Sequence, residues 1–283
     1  MNRLLLAAAG ILVFAASHAE AAQNDSLNGT VAGKPAPMKL TGQNAVYDLS
    51  LSSVRGHSVT GAAGRLRFDV LETCRAFTVS QRMTLLVRNG DGSLTRTVSD
   101  YDTWESKGGH HLSFMLRQTT NGKMEAESIG NATTGPQGGS VTYLVPKGRV
   151  LKLPPGTLFP MAHTREILQA AAAGKSFIDP PLFDGTSKHG AEHSFVAILG
   201  HEKPKSSKFT ALSDLPATRV DIGFFRRSMK DDSPDFRTEM RYYSNGVARG
   251  VKLDFGAFVV DGKLTKLSVP PVACPHSESA SGH

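Results

Sequence analysis

The chain of 283 residues is poor in the residue types that most cofactor-dependent and redox enzymes lean on. It has two cysteines, Cys74 and Cys274, and one tryptophan, Trp104. Neither cysteine belongs to a Cys-x-x-Cys pair, so a zinc ribbon or a thioredoxin-like centre is excluded. There is no Gly-x-Ser-x-Gly elbow and no Gly-rich loop to cradle phosphate. Beyond the N-terminus no apolar run is long enough to cross a bilayer. Lysine and arginine are never gathered into a run. The formal net charge of +7 is therefore dispersed, which argues against nucleic acid as a partner and for an ordinary solvated surface.

What is present begins with residues 1–22, MNRLLLAAAGILVFAASHAEAA. Arg3 supplies a positive start, Leu4 to Ala16 an apolar stretch, and Ala19-Glu20-Ala21 a small-x-small cleavage site. Those are the parts of a secretory signal peptide. Cleavage predicts export to the periplasm, with no transmembrane segment in the mature chain. In an oxidising space two cysteines favour a structural disulfide, and only one intramolecular pairing exists, Cys74 with Cys274. That link would close a loop of 200 residues, worth about 5 kcal/mol in the chain-entropy picture.

Residues 23–44 are polar and rich in Gly, Pro and Ala, and read as a flexible leader. From Ala45 the hydrophobic period is mostly two. Tyr47, Leu49 and Leu51 oppose Asp48 and Ser50; Leu66, Phe68 and Val70 oppose Arg65, Arg67 and Asp69. Such alternation predicts half-buried antiparallel strands. Hairpin turns are expected at Asn89-Gly90-Asp91-Gly92, Asn121-Gly122, Asn245-Gly246 and Asp261-Gly262. One short helix is expected over Thr164–Gly174, with Thr164 capping its start and Gly174 stopping it. The fold class is therefore mainly β: one large antiparallel sheet wound into a β-spiral or open barrel, with one short helix packed on it. We assign residues 45–274 to this single domain and 275–283 to a flexible tail. A division near Leu153 or across His201–Ala217 is the alternative, and a Cys74–Cys274 staple argues against it.

Several constellations invite chemistry. His189 and His193 have the i, i+4 spacing of a metal pair, but Gly190 interrupts them and no Glu follows His189. Asp184, Ser187 and His189 lie together in FDGTSKHG, where Asp184-Gly185-Thr186 reads more naturally as a turn. Asp102 and Glu105 flank Trp104, as a glycosidase acid pair flanks a sugar platform; a packed aromatic between solvated acids is the simpler reading. We therefore expect no catalytic residues, no metal and no cofactor, with an envelope hydrolase as the weakest alternative. A curled sheet with a helix across its mouth would instead form an apolar groove. Its candidate lining is Leu66, Phe68, Phe77, Phe114, Leu116, Phe195, Phe224 and Phe258, residues that would otherwise fill a solid core.

An ordered set of motifs carries a resemblance. AVYDLSL (Ala45 to Leu51), SQR (Ser80 to Arg82), DYDTWES (Asp100 to Ser106), GTLFPMAH (Gly156 to His163), FDGTS (Phe183 to Ser187), NGVARGVKLDFGAF (Asn245 to Phe258) and the closing Cys274 appear in that order. Together they resemble the EipB family of periplasmic envelope-integrity proteins of alphaproteobacteria. The resemblance implies a β-spiral related in shape to the periplasmic lipoprotein carriers, a disulfide carried here by Cys74 and Cys274, and a role in maintaining the envelope under stress. It supplies no catalytic residues. The family pattern of acidic-Gly-aromatic after the first cysteine is Arg75-Ala76-Phe77 here, which keeps the aromatic and reverses a charge. The function expected is non-enzymatic support of the envelope through periplasmic protein partners. The alternative is a carrier that holds lipid or lipoprotein acyl chains in the groove.

Overall fold

Strict alternation lets each strand give one face to a common interior, and a computed structural model of the chain is built on that pattern. It describes residues 39–225 and 234–274. The signal peptide assigned to residues 1–22, most of the leader and the 275–283 tail lie outside the described residues.

Eight strands run consecutively as an antiparallel meander: β1 (Gln43–Val54), β2 (Val59–Glu72), β3 (Ala76–Asn89), β4 (Leu94–Ser106), β5 (His111–Thr120), β6 (Lys123–Thr133), β7 (Gly139–Val145) and β8 (Arg149–Leu153). The helix α1 (Pro160–Ala172) and two short strands, β9 (Phe177–Ile178) and β10 (Pro181–Leu182), follow. The chain then returns through β11 (Glu192–Glu202), β12 (Ala217–Phe225), β13 (Phe236–Tyr243), β14 (Ala248–Asp254) and β15 (Phe258–Ser268). β15 pairs with β1, so the sheet reads β10-β11-β12-β13-β14-β15-β1 and onward in sequence to β8, with β9 on β11. The two ends of the sheet, β8 and β10, are not joined by a strand ladder. The sheet is an open spiral, and α1 lies in the connection between its ends.

The hairpin chemistry holds at three of the four expected turns. Asn121 and Gly122 both take positive φ (51° and 79°) between β5 and β6, as a tight primed turn requires. Asp261-Gly262 is not a turn. Both residues sit inside β15, opposite Lys252 and Val251 of β14. Gly262 is there for space: a Cβ would lie 3.3 Å from that of Val251. The turn joining β14 to β15 is made instead at Gly256 (φ 80°).

The helix starts four residues earlier than expected. Pro160 occupies its first turn, where a missing N–H costs nothing, and Thr164 lies inside it, donating to the carbonyl of Pro160. Its end is as expected. The amides of Gly174 and Lys175 bond back to Ala171 and Ala170, a Schellman closure with Gly174 at φ 74°.

The concave face carries the main core. Tyr47, Leu49, Leu66, Met83, Leu85, Val220, Phe224, Phe258 and Val260 meet Ile167 and Leu168 of α1 there. Phe224, Phe236, Phe255 and Phe258 form a chain of ring contacts filling one end. A second cluster over β5–β8 packs Phe114, Tyr143, Phe159 and Phe183 edge to face, with Phe114 and Phe183 centroids 5.4 Å apart. Charges occupy the convex face as cross-strand pairs, among them Arg65–Asp48, Arg82–Asp100 and Arg117–Glu127. Such exposed pairs add little stability each. The structure joins Cys74 to Cys274, with Cα atoms 5.1 Å apart, and a parallel bridge sets Ala273 beside Thr73. The end of the chain is thereby fastened to the β2–β3 turn.

Candidate functional site

The first turn of α1 does not close completely on the sheet. Between them is a cavity of about 90 Å³. β1 and β2 contribute Tyr47, Leu66 and Phe68; β3 and β4 contribute Val79, Gln81, Tyr101 and Thr103; β13 and β14 contribute Met240, Tyr242 and Val251. Its roof is Pro160, Met161, His163 and Thr164. No lysine or arginine lines it.

The roof is held by a carboxylate from another element. Phe159, the residue before α1, offers no capping side chain. Glu105 of β4 takes that role: its Oε2 and Oε1 accept the amides of Met161 and Ala162 at 2.7 and 2.8 Å. The first amides of a helix lack internal partners and carry partial positive charge, which suits an anion. Burial nevertheless dominates and pushes the Glu105 carboxyl up to about 7, against the opposing pull of the two amides and of Arg165. Arg165 itself is anchored on the Lys107 carbonyl.

His163 is fully buried, and burial alone brings its imidazole down to about 4. The Ser194 hydroxyl donates to the Pro180 carbonyl, so the 2.8 Å contact between His163 Nε2 and Ser194 Oγ has the imidazole as donor. Nδ1 then carries a lone pair, and it has no partner. The Oε1 of Gln43, another lining residue, also lacks one. Asp184 is raised by burial, and its Oδ1 accepts both the amide and the hydroxyl of Thr186.

The eight sequence-derived groove candidates separate into six places. Leu66 and Phe68 line the cavity. Phe77 is buried under the Lys107 ammonium, 4.0 Å from the ring centre. Phe114 belongs to the second cluster, Leu116 packs with Tyr101, and Phe224 and Phe258 belong to the aromatic chain that fills the core. Phe195 does not face the interior. Ser194 and Val196 take the buried side of β11, so alternation turns Phe195 outward, where it stacks on Phe177. The Glu105 cap and the His163 roof were missed by the sequence reading. GTLFPMAH contains His163, but nothing local pairs it with Ser194 or sets Glu105 against the helix.

The enzyme-like constellations come apart in space. Asp102 and Trp104 lie on the outer face of β4 and Glu105 on the inner, so the two carboxylates do not share a cleft. Trp104 is 43% exposed rather than packed in the core. The Ser187 hydroxyl accepts the backbone amide of His189, and Asp184 closes a turn. Gly185 in that turn (φ 84°) lies directly against Phe114. Among the described residues no three His, Cys, Asp or Glu side chains come together as a metal would need. No helix among them is long and apolar enough to cross a membrane.

Comparisons with known proteins agree with this architecture. A solved structure from Brucella abortus, described as a β-barrel-like protein of the domain DUF1849, superposes with a TM-score of 0.76 at 24% identity, covering 83% of this chain and all of that one. That likeness establishes the fold. The cell envelope integrity protein EipB of Brucella abortus (strain 2308) is 27% identical over 242 residues, spanning 82% of this chain and 85% of the relative. The profile of the EipB-like family matches residues 34–271. By that match, the chain belongs to the EipB-like family.

Proposed function

We propose that this protein works in the periplasm to support the integrity of the cell envelope, and that it does so by holding an apolar chain end in the cavity under α1. The observation that carries the reading is the cavity itself, walled by Tyr47, Leu66, Phe68, Val79, Met240 and Val251 and roofed by the first turn of the helix. Apolar recesses of this kind gain affinity from the area they remove from water. At about 90 Å³ the recess is smaller than the 300–1,000 Å³ usual for small-molecule sites, so it suits the end of a chain rather than a whole lipid. The envelope role is that of the relative from Brucella abortus, whose name states it.

Binding rather than catalysis fits the buried ionisable groups. Glu105 is occupied by helix amides, Asp184 by Thr186, and His163 by Ser194. Of those contacts, His163–Ser194 joins a nucleophile type to a base type, but there the Ser194 hydroxyl is spent on the Pro180 carbonyl and the imidazole donates, so the base does not take the hydroxyl proton. A purely protein-docking role has less support. The exposed apolar side chains are spread along the sheet, from Leu71 on β2 through Leu86, Trp104 and Met124 to Leu144 and Val150 on β7 and β8, and exposures spread in this way are ordinary.

The test is a fluorescence titration of the mature protein with an apolar reporter dye, displaced by 1-octanol. Ala248 of β14 also lines the cavity; saturable binding is expected, and Ala248→Leu, which puts bulk into that wall, should abolish it without lowering the melting temperature. Absence of saturable binding, or binding untouched by Ala248→Leu, would overturn the reading and leave protein partners as the route of action.

A further inference from the structure

Along the inner face of β4, beyond the cavity wall at Thr103 and Tyr101, the next two inward positions are Ser99 and Thr97. Inward residues two apart are separated by about 7 Å, so this lane begins where the cavity ends. Thr97 stands opposite Thr120 of β5, and Ser99 opposite Gln118. Ser128 of β6, opposite Leu116, completes the group one strand further on. The hydroxyl oxygens of Thr97, Ser99, Thr120 and Ser128 are all buried, and none has a hydrogen-bond partner.

Four unpartnered hydroxyls on three adjacent strands are an unusual concentration. Each buried hydroxyl without a partner weighs against folding. Valine or alanine at the same places would fill the face without that cost. The chemistry of the lane is also specific. Hydroxyls donate and accept, so they suit a partner that does both. The inward positions of β3–β6 include no lysine or arginine: Arg82, Arg88, Arg96 and Arg117 all point to the exposed side. A phosphate or free carboxylate placed there would be desolvated without a counter-ion, which is strongly unfavourable. In the cavity, the unpartnered Gln43 Oε1 and His163 Nδ1 are both acceptors, which again asks for a donor on the ligand.

From this juxtaposition we infer that a ligand entering the cavity extends along the inner face of β4 and β5 into a subsite for an uncharged, hydroxyl-bearing head group. The ligand class is then a neutral amphiphile, with vicinal hydroxyls of the sugar or glycerol kind beside the apolar chain. The inference rests on the chain-binding reading above and narrows it. Bound, the ligand's hydroxyls satisfy Ser99, Thr97 and Thr120, which stands opposite Thr97, while its chain enters under Met161.

The experiment is a calorimetric titration of the mature protein with four probes of equal chain length, each below its micelle threshold: octyl β-D-glucoside, 1-O-octylglycerol, 1-octanol and octyl phosphate. At least one of the first two should bind about tenfold more tightly than octanol, and octyl phosphate no more tightly than octanol. Whichever of the glucoside and the glycerol ether binds more tightly identifies the source of the hydroxyls. Thr97→Val, Ser99→Ala and Thr120→Val should each remove most of that preference, leave octanol affinity unchanged, and keep or raise the melting temperature. Equal affinity for glucoside, glycerol ether and octanol would overturn the inference and leave chain binding standing. Failure of all four probes would overturn both. A preference that survives the three substitutions would mean that the hydroxyls hold water or structure alone, and would overturn the subsite.

Discussion

Replacing Glu105 by Gln should expose two opposing pH dependences that conceal one another in the native protein. The Glu105 carboxyl is raised from 4.5 to about 7 by burial. Between those values the folded state holds more protons than the unfolded state, so stability falls as pH rises through the window. At about 1.4 kcal/mol per pH unit, the loss approaches 3 kcal/mol. His163 behaves oppositely. Its imidazole is lowered from 6.5 to about 4, so the unfolded state holds more protons there and stability rises with pH by a similar amount. From about pH 4.5 to 6.5 the two contributions nearly cancel. Urea unfolding of the disulfide-intact mature protein across pH 4 to 8 reads them apart. Relative to wild type, Glu105→Gln should gain stability by about 3 kcal/mol from pH 4 to 6.5, because the falling contribution of Glu105 is removed. His163→Gln should lose about 3 kcal/mol from pH 4.5 to 7. The comparison with wild type matters, since it cancels every other titrating group. Parallel curves for wild type and Glu105→Gln would refute the argument. They would mean that the amides of Met161 and Ala162, with Arg165, keep the carboxylate ionised and that burial does not win.

Two further outcomes follow from the fold. Reducing the disulfide, or replacing Cys74 and Cys274 by Ser, should lower the unfolding free energy by about 2–5 kcal/mol, because the bond closes a 200-residue loop; dithiothreitol should change the wild type and leave the double variant unmoved in the same urea assay. Gly185→Ala should cost about 2–4 kcal/mol, since a Cβ there would lie 2.3 Å from the Phe114 ring on a backbone with positive φ. An unshifted thermal transition in that variant would show that the second cluster yields freely.

The period-two alternation of Tyr47–Leu51 and Leu66–Val70, and the Asn-Gly turns, determined an antiparallel meander without reference to anything distant, because alternation and turn φ are properties of neighbouring residues. Two cysteines allow one intramolecular pairing, so the Cys74–Cys274 link was legible too. The family motifs, spread from Ala45 to Cys274, made the kinship readable in order alone. What failed locally failed for a tertiary reason. Asp261-Gly262 has turn composition, yet it is strand because β1 and β14 flank it on both sides and need its small size. The helix begins at Pro160 rather than Thr164 because its cap comes from Glu105, 56 residues away from Met161 in sequence. No local pattern separates Phe68, which lines a cavity, from Phe224, which fills the core, or from Phe195, which faces outward. Apolar residues at one period are equivalent until the winding of the spiral decides which are opposed by a side chain, which by a helix and which by empty space. The same winding turned four hydroxyls on three strands, each ordinary by itself, into the interior. Sequence determined which faces each strand would bury; only the curvature of the sheet around α1 decided what each buried face would meet.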